Sequence, residues 1–189
     1  MIRIGILGNI GSGKSYVAKN FGYPVFNADY EVSKLYKKDK KIFKKLKKKL
    51  PKYISSFPIK KNEITKAILS NKVNLKKIIT IVHLEIRKKL KLFLKKNRYK
   101  KVIILDIPLL LENKINNKDD ILVFVDSKKI EIEKRLKKRL NFNRKLINKF
   151  KKIQFSSSYK RRRSNFIIKN NFKKKSLNKS IKKILNEIL

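Results

Sequence analysis

The sequence predicts an α/β fold, a three-layer sandwich whose middle layer is a parallel sheet. Three observations predict it. Apolar runs at residues 2–7, 102–106 and 121–126 have the length and β-branched content of strands buried on both faces. Apolar residues at helical spacing fill most of the intervals, so strands alternate with helices. The first run leads into a glycine-rich loop and a helix, and the later two end in Asp106 and Asp126. In parallel sheets of this kind the ligand crevice lies beyond the carboxyl ends of the strands.

The first strand leads into Gly8-Asn9-Ile10-Gly11-Ser12-Gly13-Lys14-Ser15, the G-x-x-x-x-G-K-S spacing of a phosphate loop, in the strand–loop–helix order that gives the pattern meaning. Gly8, Gly11 and Gly13 let backbone N–H groups turn inward around phosphate oxygens, where side chains would obstruct. The helix that follows points its positive end at the same oxygens. Lys14 can reach the β- and γ-phosphates, and the Ser15 hydroxyl can ligate Mg²⁺. A site for a nucleoside triphosphate follows.

The first helix is expected over Tyr16–Phe21, with Gly22 ending it. Residues 23–29 read as a second strand, which places Asp29 just past its carboxyl end and facing the phosphate loop, or at the N-cap of a helix beginning near Tyr30. From Glu31 to about Arg98 the chain reads as lysine-rich helix, broken at Leu50-Pro51 and Phe57-Pro58. Leu75, Ile78, Ile79, Val82, Ile86, Leu90 and Phe93 mark a long helix over roughly residues 74–96. So long a block between strands exceeds an ordinary crossover and fits a substrate-binding helical insert. His83, the only histidine, sits beside that apolar stripe, where a half-buried structural role is the usual one.

Val102-Ile103-Ile104-Leu105-Asp106 is the clearest strand, and Asp106 is the expected partner of the phosphate loop, acting on Mg²⁺ directly or through water. The apolar turn Ile107 to Asn113 follows, carrying Pro108, Leu109, Leu110 and Glu112. Asn117-Lys118-Asp119-Asp120 matches a guanine-reading pattern but precedes its strand, Ile121–Asp126, instead of following it. Chance in an Asn/Lys-rich loop explains the match. Ser127–Leu140 reads as an amphipathic helix with Arg135 and Arg139 one turn apart. Guanidinium forks near a transferring phosphate stabilise its spread charge. Asn141–Arg144 begins a small lid, with Arg139 its best functional candidate. The run Tyr159-Lys160-Arg161-Arg162-Arg163 could bind phosphate or RNA, or simply be exposed. A last strand over residues 166–171 and a helix over residues 177–189 close the chain.

The 189 residues suit one domain: a core at 1–29, 99–139 and 156–189, the insert at about 30–98 and the lid at about 140–155. There is no cysteine, hence no disulfide and no thiolate metal site, and no apolar run long enough to span a membrane. A cytoplasmic protein is expected. The formal charge of +41 suggests nucleic acid. Residue choice argues otherwise: 45 Lys stand against nine Arg, with 18 Asn and 27 Ile, all but Arg favoured by A/T-rich codons. Arginine, preferred for base and phosphate forks, is not enriched. A solvated lysine surface with weak non-specific nucleic-acid binding is expected, and no specific one. All five glycines lie within the first 22 residues, so later loops have none to supply a positive φ, and a GTPase switch glycine is missing.

Taken together, these residues resemble the dephospho-coenzyme A kinase family over nearly the whole chain. The resemblance is carried by the phosphate loop with Val17-Ala18, by Asn27-Ala28-Asp29, by His83, by Asp106-Ile107-Pro108-Leu109-Leu110-Leu111-Glu112, by Arg135 and Arg139, and by Gln154 on the helix after the lid. It implies a P-loop three-layer sandwich and transfer of the ATP γ-phosphoryl to the ribose 3′-hydroxyl of dephospho-CoA, the last step of coenzyme A synthesis. Gly8, Gly11, Ser12, Gly13, Lys14, Ser15, Tyr16, Arg135 and Arg139 would hold ATP. Asp29, His83, Arg87, Asp106, Pro108, Leu109, Leu110 and Glu112 would hold the acceptor, and Ser15 and Asp106 would hold Mg²⁺. Lys14, Arg139 and Asp29 would be catalytic, with Asp29 accepting or orienting the hydroxyl proton. The chain departs from the family pattern at Tyr16, Asn27, Leu84 and Asn165. Another nucleoside monophosphate-type kinase, or a basic nucleic-acid-binding protein with a vestigial loop, would share the loop itself. The oligomeric state is open.

Overall fold

A computed structural model describes residues 1–140 and 142–189; Asn141, expected in the lid, lies outside the described residues. In chain order the elements are β1 (Ile2–Gly8), α1 (Lys14–Asn20), β2 (Val25–Asn27), α2 (Ala28–Lys38), α3 (Lys40–Lys49), α4 (Lys61–Ser70), α5 (Lys72–Lys96), β3 (Val102–Asp106), β4 (Ile121–Asp126), α6 (Lys129–Lys137), α7 (Arg144–Lys151), α8 (Ser157–Arg162), β5 (Phe166–Lys169) and α9 (Lys174–Ile188). They form two compact units, one of residues 1–27, 97–143 and 150–189, the other of residues 28–96 and 144–149.

The first unit holds a sheet of order β2-β3-β1-β4-β5, parallel throughout. Strand alternation divides its core. Ile4, Ile6, Val102, Ile104, Val123, Val125 and Ile168 face Val17, Ala18 and Phe21 around α1 and Leu177, Ile181 and Ile184 of α9. Residues of the opposite parity are buried too, which is why β3 reads as a continuous apolar run. On that other face Gly5 leaves room: a Cβ there would stand 2.6 Å from Leu110 Cδ2. The turn after β3 thus plugs into the centre of the sheet.

The two edges of the sheet have different work. At the carboxyl edge, register sets Asn27 beside Asp106 and Asp126 beside Lys169. At the amino edge Arg3 pairs with buried Asp120 at 2.8 Å, and the same carboxylate accepts the Asn117 N–H. The Asn117–Asp120 segment is a turn before β4, at the end of the strand remote from the phosphate loop.

In the second unit α5 lays Leu75, Ile78, Val82, Ile86 and Leu90 inward as a stripe, against α2, α3 and α4. Asp39, whose carboxylate accepts the Ile42 N–H at 3.0 Å, caps α3 and separates it from α2. Glu63 gathers the loop ahead of α4, accepting from the backbone and hydroxyl of Ser55 and Ser56 and from Lys60 N. Lys149 of α7 donates to the carbonyls of Ile68 and Leu69, at 2.8 Å each, in the last turn of α4.

Boundaries move in places. β2 is three residues long, so α2 starts at Ala28, and Asp29 lies in its first turn instead of capping it. α6 ends at Lys137, which leaves Arg139 in the following turn. Gln154 lies past the end of α7, in the link to α8. The arginine run is itself helical, as α8. Positive φ occurs without glycine at Lys114 and Phe172. Among the described residues no helix is long and apolar enough to cross a membrane.

Candidate active site

The site is built where β1 ends. Gly8, Gly11 and Gly13 adopt φ of 147°, 89° and 91°, and the loop is closed by Ser12 N–H donating to the Asn9 carbonyl at 3.1 Å. Glycine is required at both ends. A Cβ on Gly8 would stand 2.8 Å from the Val125 carbonyl oxygen, and one on Gly13 would stand 2.5 Å from the Asn170 amide nitrogen. Gly13 then starts α1 with no side-chain cap, and the positive N-terminal end of a helix suits an anion. The Lys14 ammonium donates to the carbonyls of Gly8 and Asn9 at 3.0 and 2.8 Å, so its charge is held at the loop. The Ser12 side chain is fully buried, and its hydroxyl has no hydrogen-bond partner among the described residues.

Asp106, 3% exposed at the end of β3, accepts the Asn27 amide at 2.6 Å and is also hydrogen-bonded by Ser15. Burial pushes its carboxyl above the ordinary value; the Ser15 and Asn27 hydrogen bonds and the Lys14 and Lys19 charges oppose that. Asn27, one of the departures from the family pattern, is therefore a donor to Asp106. Ser15 and Asp106 make a pair of hard oxygen donors. Among the described residues no cluster of three ligating side chains exists. Such a sparse set fits Mg²⁺, which is commonly held by one or two protein oxygens together with substrate phosphates and water.

The turn after β3 is clipped from the far end of the chain. Gln154 donates to the Pro108 carbonyl at 3.2 Å, and the Phe155 N–H donates to Glu112 at 2.8 Å. Lys160, 1% exposed, pairs with the same Glu112 oxygen at 2.8 Å. The other Glu112 oxygen is buried and has no hydrogen-bond partner among the described residues. Ser157 donates to the Asn9 side chain at 2.7 Å, linking α8 to the phosphate loop. The basic run is thus divided: Lys160 points inward and Arg161 pairs with Asp126 at 3.0 Å. Leu110 fills the space over Gly5, while Pro108 and Leu109 are half-buried.

Arg135, on α6, places its guanidinium over the Phe172 ring at 4.2 Å, and the ring edge lies 3.1 Å from where a Gly13 Cβ would be. Arg139 and Tyr16 are exposed. These residues share the first unit with the loop. Asp29, His83 and Arg87 belong to the second: Asp29 is exposed on α2, and half-buried His83 and exposed Arg87 are one turn apart on α5. Burial and the Arg87 charge lower the His83 pKa.

The pattern of the sequence does not single out Ser127, Asn170 and Phe172, nor the inward turn of Lys160. Asn and Lys are too common in this chain for any one of them to attract notice. The strand register that brings them in is a tertiary fact.

A family model described as dephospho-CoA kinase matches residues 2–176. The dephospho-CoA kinase of Wolbachia pipientis is 33% identical over 190 residues, covering 98% of this chain and 97% of that protein. A solved structure from Thermus thermophilus covers 100% of this chain and 98% of its own, at 26% identity and a TM-score of 0.80. Dephospho-CoA kinase from Campylobacter jejuni shares the fold at a TM-score of 0.61 and 20% identity, with 98% and 96% covered. The family match runs from the first strand into the last helix, and on it the chain belongs to the dephospho-CoA kinase family, ATP-using kinases of the final step of coenzyme A biosynthesis.

Proposed function

We propose that this chain transfers the γ-phosphoryl of ATP to the ribose 3′-hydroxyl of dephospho-CoA, with the following division of labour. Phosphoryl transfer asks a protein mainly for positioning and charge neutralisation. The loop from Gly8 to Ser15 cradles the donor phosphates with inward N–H groups, and Tyr16 lies in the first turn of α1. Lys14 leaves the Gly8 and Asn9 carbonyls for the β- and γ-phosphate oxygens. Arg135 and Arg139 neutralise the charge that spreads over the transferring group. Asp29 accepts or orients the acceptor's hydroxyl proton. His83, Arg87, Asp106, Pro108 and Leu109 hold the acceptor, while Leu110, packed over Gly5, and Glu112, paired with buried Lys160, shape the turn that carries Pro108 and Leu109. Ser15 and Asp106 would hold Mg²⁺, which when bound supplies further neutralisation of the phosphates. The reaction consumes small molecules and is expected in the cytoplasm.

The observation that carries this reading is the contact of Lys14 with the loop carbonyls beside the Ser15–Asp106 pair, inside the family match. Purified protein with ATP and Mg²⁺ is expected to phosphorylate dephospho-CoA in preference to AMP, CMP or shikimate. No turnover with any acceptor, together with salt-resistant RNA binding, sinks the kinase reading. Asp29→Asn is expected to lower kcat by at least about a hundredfold, the usual scale for losing a general base, with ATP affinity nearly unchanged. Retained turnover removes Asp29 from that role.

A further inference from the structure

We propose that Ser127 and Asn170 are positioning residues for the phosphate loop: together they hold the Ser12–Gly13 peptide with its N–H toward the donor phosphates. The Ser12 carbonyl accepts two hydrogen bonds, from the Ser127 hydroxyl and from the Asn170 side-chain amide, each at 2.9 Å. A trans peptide sets its C=O and N–H on opposite sides. Fixing the carbonyl away from the cradle therefore fixes the Gly13 N–H into it. A flip of that peptide would withdraw a donor and turn a carbonyl dipole against the phosphates.

The strand register explains why these two residues meet there. Asp126 and Lys169 are partners at the ends of β4 and β5, so Ser127 and Asn170 are the next residues out on adjacent parallel strands. Asn170 is fixed in turn. Its backbone N–H donates to the Asp126 carbonyl at 2.7 Å, and its side-chain oxygen accepts the Phe172 N–H at 3.0 Å. With its oxygen engaged, only the NH₂ end can face Ser12. Asn170 is 4% exposed, and its amide nitrogen occupies the space that a Gly13 side chain would need. Clamp and glycine are two halves of one arrangement. Pre-orientation of this kind raises affinity by removing an ordering cost from binding.

The inference rests on the loop being the nucleotide site, and its test measures nucleotide binding apart from transfer. Calorimetric ATP affinity and steady-state constants would be compared for wild type, Ser127→Ala, Ser127→Thr, Asn170→Ala and Asn170→Asp, with thermal melts to show folding. Each Ala variant is expected to weaken ATP binding about fivefold, the scale of one net hydrogen bond. KM for dephospho-CoA should stay within about twofold, since the clamp touches only the donor loop. Ser127→Thr keeps the hydroxyl and should retain affinity. Asn170→Asp replaces the donor with an acceptor and should be weaker than Asn170→Ala. Two results overturn the proposal: unchanged ATP affinity in a folded Ser127→Ala, or ATP and acceptor constants rising together in both Ala variants. Wild-type protein that binds no ATP overturns both this proposal and the nucleotide-site reading.

Discussion

Lys160 shows how far a residue's neighbours in sequence can mislead about its role. It stands in the most basic run of the chain, yet it is 1% exposed and neutralises Glu112 at 2.8 Å. Removing one partner of a buried pair leaves a charge with no solvent, which costs about 3–5 kcal/mol. Lys160→Met should lose stability on that scale in urea unfolding. Adding Glu112→Gln should recover much of the loss, because Gln is neutral and still accepts the Phe155 N–H. A double variant whose loss equals the sum of the singles would show that the pair is not coupled. The departures from the family pattern are also local in their effects. Asn27 donates to Asp106, Asn165 accepts from Leu122 N–H at 2.9 Å, and Leu84 is exposed on α5.

At the scale of elements, the loop between α3 and α4 depends on Glu63. Burial alone would raise this carboxyl, but hydrogen bonds from Ser55, Ser56 and Lys60 bring it down from 4.5 to about 2. A carboxyl lowered in the folded state adds stability that is complete above pH 4.5 and is lost as pH falls through about 2. Wild type should therefore lose thermal stability over that window by more than Glu63→Gln does. At pH 7 the Gln variant should be about 1–3 kcal/mol less stable, having lost charge-assisted hydrogen bonds. Parallel pH profiles for the two proteins would remove Glu63 from this role. The loop-to-helix elements of the first unit are tied differently, by strand ends: Ser127 and Asn170 sit one residue past paired positions in β4 and β5.

At the scale of the whole molecule, charge dominates. A formal +41 on 189 residues is self-repelling, and salt screens it: the Debye length falls from about 30 Å at 0.01 M to about 3 Å at 1 M. The melting temperature should rise by several degrees as salt is added from low ionic strength. A flat response would mean the lysines are too widely spaced to interact. Binding to mixed-sequence RNA should fall steeply with salt, as for phosphate contacts without base readout. Binding that survives high salt would identify a specific site.

The sequence by itself determined the fold class and the loop. Strands buried on both faces must be continuous apolar runs, as β3 is, and a phosphate cradle must place glycine where side chains would obstruct, as at Gly8 and Gly13. Such local demands leave marks in residue order. It also pointed to Asp106, a carboxylate at the end of a buried strand in a chain with only 13 acids, a mark it shares with Asp126 at the end of β4. Only the tertiary structure decided which of many asparagines and lysines matter. Asn170 is buried against Ser12 from 158 residues away, and Lys160 against Glu112, through strand register and helix packing. Pairings at that separation depend on geometry that no local pattern encodes, and in a chain of 45 Lys and 18 Asn the residue type carries almost no signal.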